Sequence, residues 1–135
     1  MELSEDTVRT AGILLIAVAA VEYGGLFMLA IHRGKRQFTD FQKTSFRAGH
    51  AHAGVLVILS LVALLYFDTV ELTGVLEVAG RSAIPLAAIL MPAGFFFSAM
   101  GHGRERPNRL LVLVYVGALS LGLGAVILGV ALITS

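Results

Sequence analysis

Polar positions along this chain are not spread at the period of a helix face or a strand; they gather into short clusters and leave four long runs that are apolar on every side. Such a run has no face to turn to water, so it reads as a helix surrounded by lipid or by other helices. The runs fall near Ala11–His32, Ala48–Phe67, Ala83–Met100 and Leu110–Thr134. Each comes near the roughly 20 residues that a helix needs to cross a bilayer core. The expected fold class is therefore all-α: a single membrane domain over residues 1–135, with four transmembrane helices in up-down order, because short connections favour antiparallel neighbours. Gly34, Gly74, Gly80, Gly101-His102-Gly103 and Pro107-Asn108 punctuate the turns. Pro92 lies inside the third run, where it removes an N–H and frees the carbonyl of Ala88, so a kink is expected there.

Composition agrees with the pattern. Charged residues make up 14% of the chain, against about 25% in soluble domains, and the apolar excess has to face lipid. The stretch before the first run (Glu2, Glu5, Asp6) is acidic where a cleaved secretory peptide starts basic, so the first run is expected to stay as a span. Arg33, Lys35, Arg36, Lys43 and Arg47 sit in the first connection and Arg104, Arg106 and Arg109 in the third, whereas the opposite side holds only Arg9 and Arg81. Cytoplasmic connections carry the excess of Lys and Arg, which puts both termini on the non-cytoplasmic side of a multi-pass cell-membrane protein, with a bacterial inner membrane as the expected location. The absence of Cys excludes disulfides, thiolate-held zinc, iron–sulfur clusters and thioether-attached haem. A net charge of +1 with no basic domain gives no footprint for nucleic acid.

Candidate chemistry rests on few residues. With the runs placed as above, all four histidines lie near the cytoplasmic mouth: His32 ends the first helix, His50 and His52 open the second, and His102 follows the third. His32 and His102 also read as interfacial residues in contact with water or headgroups. Residues two apart on a helix project about 200° apart, so only one of His50 and His52 faces inward. His52 is the deeper, and Gly49, Ala51, Ala53 and Gly54 beside it have so little bulk that they clear a flat shelf suited to a planar macrocycle. Histidine is an axial ligand of haem iron, and without Cys only a non-covalent haem b fits. The same small residues equally serve close helix packing. Glu22 is the one acid within an apolar run, and so a candidate hydrogen-bond donor, proton relay or substrate contact. It lies about ten residues, near 15 Å, from the end of its run while His52 lies a turn inside the next, so the two are not expected to pair; Ser60, Ser98 or Tyr115 are its alternative partners. Met28, Met91 and Met100 offer thioethers but read first as packing residues. Phe95-Phe96-Phe97 must send at least one ring into the bundle or a subunit contact. Ala118, Gly122, Ala125 and Gly129 form a stripe of small residues that allows close approach of another helix, within the chain or in a homo-oligomer.

The run Phe46-Arg47-Ala48-Gly49-His50-Ala51-His52-Ala53-Gly54 resembles the start of the second helix in styrene oxide isomerases, small four-helix membrane enzymes with an Ala-His-x-Gly element there. Gly94-Phe95-Phe96-Phe97-Ser98 followed by Pro107-Asn108-Arg109 is similar to that family's Gly-Phe-Tyr…Pro-Asn-Arg stretch, and Ala11-Gly12-Ile13-Leu14 echoes its first helix. The resemblance implies a trimer with haem b bound between adjacent subunits, ligated by the histidine that matches His52. It also implies a ferric iron acting as Lewis acid in the isomerisation of a small hydrophobic epoxide to a carbonyl. Phe96 stands where the family has a pocket tyrosine and Ile58 where it has a pocket asparagine, so the haem transfers more directly than the substrate. His50 has no counterpart in this frame, and aligning it as ligand would keep the family's Arg-to-His spacing more closely. A non-enzymatic b-type cytochrome or haem sensor, with His50, His102 or Met100 as sixth ligand, and a cofactor-free accessory subunit are the alternatives.

Overall fold

A computed structural model describes residues 2–135. Four helices account for most of them: α1 (Glu5–His32), α2 (Asp40–Phe67), α3 (Gly74–Ser98) and α4 (Val112–Thr134), the last entered through one 3-10 turn at Arg109–Leu111. All four are long and apolar enough to cross a membrane. The all-α, four-span expectation therefore stands.

The first three spans are longer than their apolar runs, and in α1 and α2 a side-chain cap that satisfies the first N–H groups carries the helix past lipid. α1 starts at Glu5 rather than Ala11, with the Ser4 hydroxyl accepting from the Thr7 N–H. α2 starts at Asp40 rather than Ala48, on a capping box in which the Thr39 hydroxyl accepts from the Gln42 N–H and the Gln42 side chain accepts from the Thr39 N–H. α3 starts at Gly74 rather than Ala83 and ends at Ser98 rather than Met100. Leu110, expected in the fourth helix, belongs to the 3-10 turn, which Asn108 caps. Lys43 and Arg47 consequently lie on α2 and Arg81 on α3, not in connections.

α3 is the centre of the molecule, with α2 on one side and α4 on the other, while α1 lies chiefly against α2. Glycines set the α3–α4 spacing. A Cβ added at Gly94 would lie 2.6 Å from the Val114 nitrogen, one at Gly117 3.0 Å from the Met91 nitrogen, and one at Gly124 2.7 Å from the Ile84 side chain. The Ser120 hydroxyl reinforces this seam by donating to the Ala83 carbonyl at 2.8 Å. The stripe read from the sequence is a different face of α4: Gly122 and Gly129 have nothing within 4 Å, and Ala118 and Ala125 are exposed. It takes no part in packing within the chain.

Each end of the bundle is closed by polar contacts. At the acidic end, Asp68 accepts from the Ser4 N–H at 3.0 Å, the Ser4 hydroxyl at 2.9 Å and Arg81 at 2.8 Å, and Arg81 also donates to Thr7 and to the Phe67 carbonyl. Three helices meet there. At the basic end the Gln42 amide donates to the Ala99 and Gly101 carbonyls at 2.9 and 2.7 Å, tying α2 to the connection after α3. Thr39 donates to the Arg104 carbonyl alongside it. Phe27, Phe38, Phe46 and Phe96 pack together at this basic end, with ring centroids 4.6–5.8 Å apart in tilted and edge-to-face contacts.

Candidate haem-ligand site

The histidines do not gather at one level. His32 closes α1 and His102 lies in the α3–α4 connection, both exposed. His50 and His52 are carried by a helix that begins at Asp40, so they sit roughly 15–18 Å along its axis, at 1.5 Å per residue.

His50 turns toward α1. A Cβ placed on Gly24 would lie 3.2 Å from its Nδ1, and one on Gly25 3.5 Å from its Cε1, so these glycines exist in contact with the imidazole edge. The space left beside it is a cavity of about 180 Å³ shared with Val21, Gly49, Ala53, Pro92 and Phe96. That is below the few hundred Å³ of ordinary small-molecule sites and far below a macrocycle.

His52, on the other side of α2, is half-buried, with its ring 4.9 Å from that of Phe95 on α3. Its Nδ1 is 2.8 Å from the Ala48 carbonyl. A carbonyl only accepts, so Nδ1 carries a hydrogen, and in the neutral ring Nε2 keeps a free lone pair. Metal-ligating histidines share this arrangement, with the second ring nitrogen held by a backbone carbonyl or carboxylate, and so do histidines that only brace their own helix. The shelf beside it is only partly present. Gly49 is not open: an added Cβ would lie 3.2 Å from the Pro92 carbonyl and 3.3 Å from Phe95, so α3 occupies that position and Gly49 serves helix packing. Gly54 has nothing within 4 Å and stays open.

The remaining candidates are dispersed. Ile58 is exposed on α2, and Phe96 points away from His52 into the aromatic cluster; the two do not form one pocket with His52 in a single chain. Glu22 is exposed. None of its expected partners receives it, for Ser60 donates to the Leu56 carbonyl, Ser98 to the Phe95 carbonyl, and Tyr115 lies exposed on α4. Among the described residues no three His, Asp or Glu side chains come together to hold a bare metal ion.

Two clefts escaped the sequence reading. One of about 510 Å³ at the basic end is walled by Tyr23, Phe27, Phe38, Phe46 and Phe96, with Arg36 5.8 Å above the Phe27 ring. The phenylalanines around the first connection were its only sequence signal. The other, about 630 Å³ between α1 and α3, has Asp6, Glu77 and Arg81 among its lining residues; nothing in a linear pattern pairs those two helices. No family model, curated protein or solved structure matches this chain.

Proposed function

We propose that this is a haem b-binding, homo-oligomeric protein of the cell membrane, similar to the styrene oxide isomerases, with His52 as the axial ligand. The observation that carries the reading is the hydrogen bond from His52 Nδ1 to the Ala48 carbonyl, which fixes the tautomer and leaves Nε2 free on a half-exposed face. His50 is the weaker ligand, since its ring is wedged against Gly24 and Gly25 beside a cavity too small for the group. Around His52 the chain contributes orientation through Ala48, an aromatic wall through Phe95 and room through Gly54. The half-exposed position of His52 leaves room for a second copy to complete the pocket, as the trimeric resemblance implies. When bound, ferric haem supplies Lewis-acid chemistry at an epoxide oxygen, and a small hydrophobic substrate reaches it through lipid. The excess of Lys and Arg at the end of the bundle that holds the α1–α2 and α3–α4 connections supports a reading with both termini outside the cytoplasm, in a bacterial inner membrane.

The test is an absorption spectrum of the purified protein, oxidised and dithionite-reduced, with pyridine extraction. A b-type Soret band that is lost in His52→Ala and kept in His50→Ala is expected. Loss in His50→Ala alone, or no haem after expression with ample supply, overturns the assignment. A high-spin ferric iron fits Lewis-acid catalysis, and a six-coordinate low-spin iron would move the protein to the cytochromes.

A further inference from the structure

Glu22 is a carboxyl group in the middle of an apolar helix, exposed on the surface of the chain, with no hydrogen-bond or ion-pair partner among the described residues. Ionisable groups at membrane depth face a bundle interior or a partner rather than lipid. This one therefore needs a cover that a single copy does not provide.

The α1–α2 seam tells where that cover lies. The two helices are antiparallel and in register through Ser4 with Asp68, Gly24 with His50, and Phe27 with Phe46. Glu22 is two residues before Gly24 and His52 two residues after His50, so both are displaced by about 3 Å in the same direction and stand at the same depth. Their directions follow from the same contact. Gly24 and His50 face each other across the seam, and two residues along a helix is a turn of about 200°. Glu22 thus leaves the helix pair on the side away from α2, and His52 on the side away from α1. One end of the pair presents a carboxyl group, the other an imidazole with a free Nε2, at one level.

We propose that Glu22 of one copy meets the His52 face of the next, so that the carboxyl group lies against the imidazole edge in a repeated head-to-tail contact between copies. The proposal rests on the homo-oligomeric half of the functional reading and not on haem. Nε2 cannot both meet this carboxyl group and bind iron, so the pair describes the haem-free oligomer, in which the adjacent copy guards the ligand. The small-residue stripe of α4 lies outside this contact.

The chain has no Cys, so crosslinking starts from a clean background. Ala19 lies three residues from Glu22 and Val55 three residues from His52, on the same faces, both exposed and at matched depth. Two differently tagged chains, Ala19→Cys and Val55→Cys, are co-expressed in a haem-deficient host and their membranes oxidised. A mixed disulfide is expected, with none between Ala19→Cys and Val126→Cys, which probes exposed α4. Adding Glu22→Leu to the first chain should lower the yield about tenfold, as loss of one intramembrane hydrogen bond allows, and Glu22→Gln, which keeps a donor, should restore most of it. No mixed disulfide, or one indifferent to Glu22→Leu, overturns the proposal. The haem spectrum is read on other material, so either idea can fail while the other stands.

Discussion

Replacing Asp68 with Ala tests how much of the fold depends on its acidic end. The Asp68 side chain is 3% exposed and that of Arg81 18%. Removal would strand the Ser4 N–H and leave Arg81 with Thr7, the Phe67 carbonyl and a looser contact to Glu77 at 3.5 Å. Breaking a buried pair by deleting one partner costs about 3–5 kcal/mol, and the contacts Arg81 retains put this case near the low end, about 3 kcal/mol. For a chain of this size that is a fall in Tm of about 10 °C. The damage should be local before it is global. α1 buries only Thr7, Leu14 and Ile31, so its first turns should lose hydrogen-exchange protection while α3 and α4 keep theirs.

Acid should do the same to the wild-type protein. Burial pushes the Asp68 carboxyl up, but the Ser4 N–H, the Arg81 guanidinium and the Ser4 and Thr7 hydroxyls together outweigh it and hold the group below its ordinary value. With the folded pKa below the unfolded one, the stabilisation is complete above the unfolded value, about 3.9, and is lost as pH falls through the folded value. Melting followed in detergent from pH 7 to pH 2 should show that loss in wild type and not in Asp68→Asn. A cost for Asp68→Ala below about 1 kcal/mol, or identical acid profiles for wild type and Asp68→Asn, would refute the reasoning.

Two further substitutions test the rest of the frame by thermal melting. Gly94→Ala, whose Cβ would meet the α4 backbone at 2.6 Å, should cost about 2–3 kcal/mol by overpacking, whereas Gly122→Ala, with open space around it, should stay within about 0.5 kcal/mol; equal effects would mean that α4 meets α3 through another face. Gln42→Leu strips donors from the Ala99 and Gly101 carbonyls and an acceptor from the Thr39 N–H, so about 2–3 kcal/mol should be lost and the Ala99–Asn108 connection become open to protease; unchanged melting and digestion would make Gln42 incidental.

The apolar runs made the number and type of elements readable, because lipid forces every backbone bond to be met within a segment. Their ends were hidden for the same reason. An apolar count stops at the first charges, but Ser4 and the Thr39–Gln42 box carry α1 and α2 further through polar residues. The capping box was present in the sequence as Thr-x-x-Gln and would have moved the start of α2 to its true place. Helix faces were harder to read. On α4 the stripe Ala118, Gly122, Ala125, Gly129 and the face holding Gly117 and Gly124 differ by one residue of register, and only the fit against Ile84 and Met91 of α3 selects the second.

That same register decides which chemistry the site can hold. Aligning the spans by their apolar ends sets His32 beside Ala48 and leaves Glu22 far below His52. The contacts instead set Phe27 beside Phe46 and Gly24 beside His50, which brings Glu22 and His52 level and turns them to opposite sides of the helix pair. α1 is fixed near its two ends, by the Asp68 clamp and by the aromatic cluster, with Leu14 its one buried apolar side chain along the span between Thr7 and Ile31. A helix so little covered by its own chain takes the rest of its contacts from lipid or from another copy. Lipid satisfies Ile13, Ile16 and Leu26, but not a carboxyl group. The Glu22 position is thus where the two kinds of surroundings make different demands, and where substitution by Leu separates them.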